Sequence, residues 1–318
     1  MNFIDMHCDT LHLTLEGGAQ ALYQNGGMLD ISRMKAAGQL AQFFAIFFPP
    51  EKWMKQSDEE LYTALRDNLR AAIAAHGDII APALSGSDIG KNRAEGKMSA
   101  VLTIEDGRIV NGKIENLIRL HSDGVRAIAL TWNGENCFGY PNSDDREKMA
   151  LGLKPFGFEA IEVMNELGIL IDVSHLSDGG FYDIARTSKK PFIATHSNAR
   201  TLCPHRRNLT DDMIKTLADC GGVTGLNFCA DFLPADLSKP ESTARLLAQH
   251  AKHILNIGGE DVLALGSDFD GIDTNVEVCE PAKMQLIFDA LAKCGFTARQ
   301  IDKLAGENIL RVMRDAIG

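Results

Sequence analysis

The stretch FIDMHCD, residues 3–9, is a short and nearly continuous apolar run that ends in titratable side chains. Successive side chains of a strand alternate between its two faces, so His7 and Asp9 would share one face and Cys8 would take the other. Two interpretations are open. Either His7 is a satisfied core histidine and Asp9 a helix N-cap, or the two residues bind a metal ion. The rest of the sequence decides between them.

Runs of this kind recur along the chain and alternate with helical segments. Such short apolar runs are typical of strands buried on both faces of a sheet. The eight runs cover residues 3–9, 41–48, 99–106, 125–133, 169–175, 191–197, 221–228 and 262–270. Helical patterns with capping residues cover residues 57–77, 156–168, 210–222 and 297–318. This alternation predicts an α/β protein with a (β/α)8 barrel, the TIM-barrel fold, and a doubly wound open sheet is the alternative.

The composition excludes some classes of partner. The chain has 318 residues and a formal net charge of −11, so it has no basic surplus with which to bind nucleic acid or an anionic membrane. No apolar run approaches the ~20 residues that span a bilayer, and no secretory signal begins the chain. Because no repeat or linker divides the sequence, we expect one domain over residues 1–318.

The cysteines indicate a reducing compartment. All seven are scattered along the chain, and none forms a CxxC pair. We therefore expect free, mostly buried thiols and a cytoplasmic location. The chain ends in RDAIG, without the hydrophobic tail that precedes a lipid anchor, and this favours the same location.

Metal-capable side chains fall at the ends of the apolar runs. In a (β/α)8 barrel the active site lies at the carboxyl ends of the strands. Each residue has an ordinary explanation of its own, since Asp268 in GSDFDG fits a turn and Glu105 fits a solvated loop. Together, however, acids gathered at one face would repel one another and lose solvation, and a divalent cation removes that cost. The residues at these ends are His7, Asp9, Glu105, His175, His196 and Asp268.

The types and spacing of these residues suit a pair of metal ions. His7 and Asp9 can bind one ion, and His175 and His196, from adjacent strands, can bind a second. Glu105 has two oxygens and can bridge the pair. Imidazoles with carboxylates and no thiolate suit zinc or a similar divalent ion. Two such ions would share a hydroxide as nucleophile at neutral pH, and the aspartate of the last strand would carry the proton.

Segments spread over nearly the whole chain carry a resemblance to a known family. They are DMHCD, VLTIEDG, GILIDVSH, ATHSNAR, CPHRRNLTDD, GSDFDG and GENILRV. The sequence resembles the membrane (renal) dipeptidases, peptidase family M19 of the amidohydrolase superfamily. The resemblance implies a binuclear zinc dipeptidase on a TIM barrel.

The resemblance also implies a role for each matching residue. Arg207, in the RRN run, would grip the C-terminal carboxylate of a dipeptide, which suits the bidentate geometry of a guanidinium. Asp268 would be the catalytic acid, and Glu105, as the bridging ligand, would join it in the catalytic centre. The implied metal ligands are His7, Asp9 and Glu105 for the first ion and Glu105, His175 and His196 for the second.

The end of the fourth run departs from the family pattern. Animal members carry Thr-His-Asn there, and the resemblance gives that histidine a part in stabilising the tetrahedral intermediate. Here the stretch is ALTWNGEN, so Trp132 takes its place and offers a single indole N–H. We assign Trp132 and Asn133 to substrate binding and expect the metal ions to stabilise the intermediate. The long segments 48–57 and 133–155 are expected to line or cover the site.

The expected function is hydrolysis of dipeptides, including those whose leaving residue has the D configuration. One alternative is another amidohydrolase reaction, such as hydrolysis of an N-acyl amino acid or a lactam. Many such enzymes bridge their metals with a carboxylated lysine, and the fourth run contains no lysine. Another alternative is a non-catalytic, metal-containing barrel that binds peptides, which Trp132 favours and Asp268 opposes. The expected partner is a small dipeptide, and a homodimer is a common assembly of such barrels.

Overall fold

Nine parallel strands form one sheet in the described part of the chain. The structure is a computed structural model that describes residues 1–50, 56–273 and 276–318. The strands are β1 (Phe3–Asp5), β2 (Gln39–Phe47), β3 (Ile80–Pro82), β4 (Met98–Glu105), β5 (Val125–Ala129), β6 (Leu170–Asp172), β7 (Ile193–Ala194), β8 (Val223–Leu226) and β9 (Leu263–Leu265). Their order is β2-β1-β9-β8-β7-β6-β5-β4-β3, and β2 also pairs with β4. This last pairing closes eight strands into a barrel.

The TIM-barrel prediction is confirmed, and the open-sheet alternative is wrong. Residues 41–47 of β2 pair in parallel with residues 99–105 of β4, so the sheet has no open edge between them. Each of the eight predicted runs overlaps one strand of the barrel, although β2 and β4 begin one or two residues before their runs. The strand β3, which pairs with Met98–Ala100 at the start of β4, was not predicted from the sequence. It is three residues long and only partly buried, and Pro82 within the apolar stretch 79–84 argues against a strand.

Helices surround the barrel, and each of the four predicted helical segments has a capping residue at one end. Ser57 forms a capping box with Glu60, and the chain leaves another helix through Gly168 with φ at 75°. The predicted helix at 297–318 is interrupted by a π-helical turn at Lys303–Glu307. The helices are α1 (Thr10–Leu13), α2 (Gly18–Tyr23), α3 (Ile31–Ala36), α4 (Asp58–Ala75), α5 (Gly86–Ala94), α6 (Ile114–Ser122), α7 (Arg146–Met149), α8 (Pro155–Leu167), α9 (Asp178–Thr187), α10 (Asp211–Asp219), α11 (Ala244–Gly258), α12 (Met284–Lys293), α13 (Ala298–Asp302) and α14 (Asn308–Ala316).

Apolar side chains fill the barrel below the carboxyl ends of its strands. Ile4, Phe43 and Val101 belong to one buried cluster, which Ile309 and Val312 of α14 join. A second and larger apolar cluster holds further buried side chains of the strands together with those of the surrounding helices. The polar residues at the carboxyl ends are therefore left to line a cavity.

The cysteine prediction is partly wrong. All seven cysteines are free, as expected, but only Cys8 and Cys203 are buried. The others are partly exposed, and Cys220 and Cys294 lie at the ends of α10 and α12, where the helices meet solvent. Among the described residues, no helix combines the length and the apolar character needed to cross a membrane.

Candidate active site

The structure brings together all six metal-capable residues that the sequence placed at strand ends. His7 and Asp9 follow β1, and Glu105 is the last residue of β4. His175, His196 and Asp268 follow β6, β7 and β9. All six side chains are buried. Parallel strands of a closed barrel direct their carboxyl ends to the same mouth, so residues far apart in sequence meet there.

Glu105 lies at the centre of this cluster. Its Oε1 is 2.9 Å from Nε2 of His175 and 3.5 Å from Nε2 of His196. Its Oε2 is 3.7 Å from Nε2 of His7, which in turn is 3.5 Å from Oδ2 of Asp9. Two groups of donor atoms therefore share this carboxylate, and within each group the atoms lie within 4.8 Å of one another. The groups are His7, Asp9 and Glu105, and Glu105, His175 and His196.

The ordinary explanations of His7 and Asp9 do not hold in this geometry. Asp9 precedes α1, but its side chain makes no capping hydrogen bond. Among the described residues, Asp9 Oδ1 and His7 Nε2 are both buried without a hydrogen-bond partner. Leaving such atoms unpaired is costly, and a bound cation would satisfy both. Cys8 turns the other way, as predicted, and its Sγ lies 3.5 Å from the carbonyl oxygen of Phe43.

The protonation equilibria of His175 and His196 fit metal ligation, and those of Glu105 and His7 reflect the charges buried beside them. Burial raises the pKa of Glu105 to about 7, and repulsion from Asp9 acts in the same direction. Burial holds the pKa values of His175 and His196 well below the usual range, so both rings are neutral, the form that binds metal. Burial opposes the charge on His7, but attraction to Glu105 raises its pKa well above the usual range. Imidazole nitrogens and carboxylate oxygens together suit zinc or a similar divalent ion.

Asp268 lies at the edge of the cluster. Its Oδ1 is 3.7 Å from Nε2 of His7, and its Oδ2 accepts a hydrogen bond of 3.0 Å from Nδ2 of Asn227. Burial raises the pKa of this carboxyl. Its backbone is left-handed, with φ at 66°, and His175 is similar with φ at 67°. Residues other than glycine rarely adopt this backbone conformation. Residues held in it are strained, and such positions cluster at functional sites.

Asp270 is not part of the cluster, although it lies two residues after Asp268. Its Oδ2 accepts from Oγ1 of Thr10 at 2.5 Å, and its Oδ1 accepts from the backbone N–H of Met28 at 2.6 Å. A third hydrogen bond comes from the backbone N–H of Leu29. The Asp270 carboxylate therefore links Thr10 and residues 28–29, which precede α3, to the loop that follows β9.

A cavity of about 570 Å³ opens above the cluster, and Arg207 lines it. The Arg207 side chain is buried, with its Nη2 3.3 Å from the carbonyl oxygen of His196 and its guanidinium 5.6 Å from the ring centre of Phe232. Its Nε has no hydrogen-bond partner, and no carboxylate of the described residues lies within 4.0 Å of it. A buried and unpaired cation facing a cavity fits an anionic group of a ligand. Its neighbour Arg206 is instead paired with Asp144.

Comparison with known proteins covers the whole chain. Residues 1–317 match the family described as membrane dipeptidase, peptidase family M19. The chain belongs to this family. An uncharacterized dipeptidase of Schizosaccharomyces pombe is 31% identical over 309 residues, which cover 92% of this chain and 73% of that protein. The prediction of family and enzyme class is confirmed, and the chain is a hydrolase of the dipeptidase class.

Two solved structures of similar proteins superpose over nearly the full length. The structure of dipeptidase AC, a metallopeptidase of family M19, has a TM-score of 0.89 and 27% identity and covers 100% of this chain and 99% of that chain. A metallopeptidase from Rhodobacter sphaeroides, liganded with a phosphinate mimic of the dipeptide L-Ala-D-Ala, has a TM-score of 0.89 and 26% identity over 99% of each chain.

In this member of the membrane dipeptidase family, Trp132 forms an aromatic wall of the cavity. Its ring meets Phe47 edge-to-face at 4.9 Å and lies 6.1 Å from the ring of His175. Asn133 is exposed and also lines the cavity. The role of both residues in substrate binding stays a prediction. Of the two segments expected to line or cover the site, the second supplies Asn133, and residues 51–55 of the first lie outside the described residues.

Further residues of the cavity and of its support were not predicted from the sequence. Phe47 and Phe232 line the cavity, but an aromatic residue near a strand end carries no specific signal. Asp5 and Asp172 are buried carboxylates that hold the strand ends. They could have been found, because each is an acid inside an apolar run shortly before a histidine, in IDMH and in IDVSH.

Proposed function

We propose that this chain hydrolyses dipeptides with the help of two divalent cations, for which zinc suits the ligands best. The observation that carries the proposal is the sharing of Glu105 by two groups of donor atoms. The guanidinium of Arg207, which has no ionic partner among the described residues and whose Nε makes no hydrogen bond, lies at the same cavity and supports a substrate with a carboxylate. The Rhodobacter sphaeroides relative, liganded with a mimic of L-Ala-D-Ala, supports acceptance of a D residue after the scissile bond.

The residues that would hold the cations are those of the two donor groups. His7, Asp9 and Glu105 would bind one ion, and Glu105, His175 and His196 would bind the other. When bound, such a pair polarises a substrate carbonyl and lowers the pKa of a water molecule, so that a nucleophile is available at neutral pH.

The chain's own residues would then bind the substrate and move the proton. Arg207 binds the C-terminal carboxylate through its paired N–H groups, which favours substrates with one residue after the scissile bond. Asp268 takes the proton that the attacking water releases and gives it to the amine as the C–N bond breaks. The hydrogen bond from Asn227 holds the Asp268 carboxylate in place during both transfers.

A free amino group on the substrate distinguishes a dipeptide from an N-acyl amino acid. Both carry the carboxylate that suits Arg207, so that contact alone does not separate them. The exposed acids Asp231 and Asp273 also line the cavity and would attract an ammonium group. An N-acyl amino acid lacks this group, and a lactam lacks it as a free terminus. The acidic cavity therefore favours the dipeptide.

Hydrolysis of a matched substrate panel tests the proposal. The zinc-loaded protein should cleave L-L and L-D dipeptides with a kcat/KM about 2–5-fold above that for N-acyl amino acids with the same C-terminal residue, because the latter lose the contact between the ammonium group and the exposed acids. Faster cleavage of an N-acyl amino acid or of a lactam would show another amidohydrolase activity. Tight binding of dipeptides without any cleavage would show a non-catalytic barrel.

A further inference from the structure

A buried hydrogen-bonded chain lies behind the ring of His196. Thr195 follows β7 and precedes His196, and Asp172 is the last residue of the neighbouring strand β6. Thr195 Oγ1 is 2.5 Å from Oδ2 of Asp172 and 2.8 Å from Nδ1 of His196. All three side chains are buried. The hydroxyl therefore connects a carboxylate to the ring nitrogen that faces away from Glu105.

The hydrogen bonds around Asp172 fix the direction of each proton. Its Oδ1 accepts from the backbone N–H of Ser174 at 2.9 Å and from that of Thr195 at 3.0 Å. A carboxylate only accepts hydrogen bonds, so the third one, at Oδ2, uses the hydroxyl proton of Thr195. A hydroxyl has one proton, and Thr195 Oγ1 can then only accept from His196. Nδ1 of His196 must carry the ring proton.

This direction determines which nitrogen of His196 is free. In a neutral imidazole one nitrogen donates and the other has a lone pair. With the proton on Nδ1, the lone pair of Nε2 points to the cluster, where it is 3.5 Å from Oε1 of Glu105 and 3.1 Å from Nε2 of His175. Metal-binding histidines commonly donate their other N–H to a fixed acceptor, which sets the tautomer and the orientation of the ring.

We propose that Thr195 is a positioning residue, anchored by Asp172, that holds His196 in the Nδ1–H tautomer and so presents Nε2 to the metal site. The consequence for metal binding rests on the proposed function, whereas the tautomer itself does not. A similar pair of a buried carboxylate and a hydroxyl lies at β1, but it does not contact a histidine ring. Asp5 accepts from Oγ of Ser267 at 2.5 Å, but that hydroxyl approaches the backbone carbonyl of His7 rather than its ring.

Three variants separate this role from a loss of packing. Thr195→Val keeps the shape and removes the hydroxyl, and Thr195→Ser keeps the hydroxyl. Thr224→Val is the matched control, because Thr224 is equally buried on the adjacent strand β8 and its hydroxyl donates to the carbonyl of Ser197 at 2.7 Å. The Thr224→Val change removes this buried hydrogen bond and leaves the contacts of the histidine rings unchanged.

The first measurement is the tautomer of His196 in the metal-free protein by long-range proton–nitrogen NMR, with its signals assigned by their loss in His196→Gln. The Nδ1–H form is expected in the wild type, in Thr195→Ser and in Thr224→Val, and the Nε2–H form should gain in Thr195→Val. A wild-type ring that is mainly Nε2–H overturns the proposal, whatever the variants do and whether or not the protein cleaves dipeptides.

The second measurement is zinc affinity by competition with a chelator. Thr195→Val is expected to weaken binding about 10–100-fold, whereas Thr195→Ser and Thr224→Val should stay close to the wild type. An equal loss of zinc affinity in Thr195→Val and Thr224→Val would indicate an effect of packing alone and would contradict the proposal. Unchanged affinity in Thr195→Val would contradict it as well.

Discussion

Replacing Asp268 by asparagine is expected to lower kcat for dipeptide hydrolysis by about 10²–10⁴-fold while the metal content stays unchanged. An amide cannot take up and release the proton. Asparagine suits the site sterically, because it tolerates the left-handed backbone that Asp268 adopts at φ 66°. Its side-chain oxygen can still accept the hydrogen bond from Asn227. The measurements are steady-state kinetics and metal content by mass spectrometry on the same preparation.

Two outcomes would contradict this role. Asp268 also lies near His7 and His196 in an arrangement that could hold a metal ion, so loss of one equivalent of metal in Asp268→Asn would make it a ligand. Activity within about tenfold of the wild type would exclude it as the proton carrier. Asp270→Asn is the control at the same strand end, since its carboxylate holds Thr10, Met28 and Leu29. It should lose stability, by about 1–3 kcal/mol, rather than kcat.

Replacing Arg207 by methionine is expected to reduce kcat/KM for a dipeptide by about 10²–10³-fold, mostly through a higher KM. The guanidinium binds a part of the substrate that does not change during the reaction, so ground state and transition state lose the same contact. The wild type should prefer a dipeptide to its C-terminal amide by a similar factor. Arg207→Met should lose this preference, and comparison of the two substrates measures it directly.

The matched control for Arg207 is its neighbour. Arg206 is paired with Asp144, so Arg206→Met should retain the preference for a free carboxylate. The fold should tolerate Arg207→Met, because removing a buried cation without an ionic partner leaves no partner charge unpaired. An Arg207→Met protein that still discriminates against the amide would place the carboxylate site elsewhere in the cavity.

The residues at the strand ends could be predicted because parallel strands bring their carboxyl ends together. His7, Glu105 and His196 are far apart in sequence, yet an apolar run ending in such a side chain already indicates the common mouth of a barrel. The same logic gave Asp268 its place at the end of the last strand. Closure through β2 and β4 followed from the number of runs and their alternation with helices.

The remaining features depend on contacts that no local pattern encodes. Asp268 and Asp270 look equivalent in GSDFDG, but only the coordinates show that Asp268 joins the metal-capable cluster and Asp270 holds a backbone segment. The direction of the Thr195 hydroxyl depends on which donors surround Asp172. The strand β3 and the π-helical turn are too short to show a hydrophobic periodicity in the sequence. The cytoplasmic location, the homodimer and the single domain over residues 1–318 stay predictions from the sequence.

The most direct test of a two-cation site is a zinc titration of the metal-free protein that follows bound metal and dipeptide hydrolysis together. We expect two equivalents per chain, no hydrolysis without metal, and full activity only when the second equivalent is bound, because the two donor groups share Glu105. Glu105→Gln should weaken the binding of both equivalents. Full activity of the metal-free protein, or saturation of bound metal and of activity at one equivalent, would contradict hydrolysis with two cations.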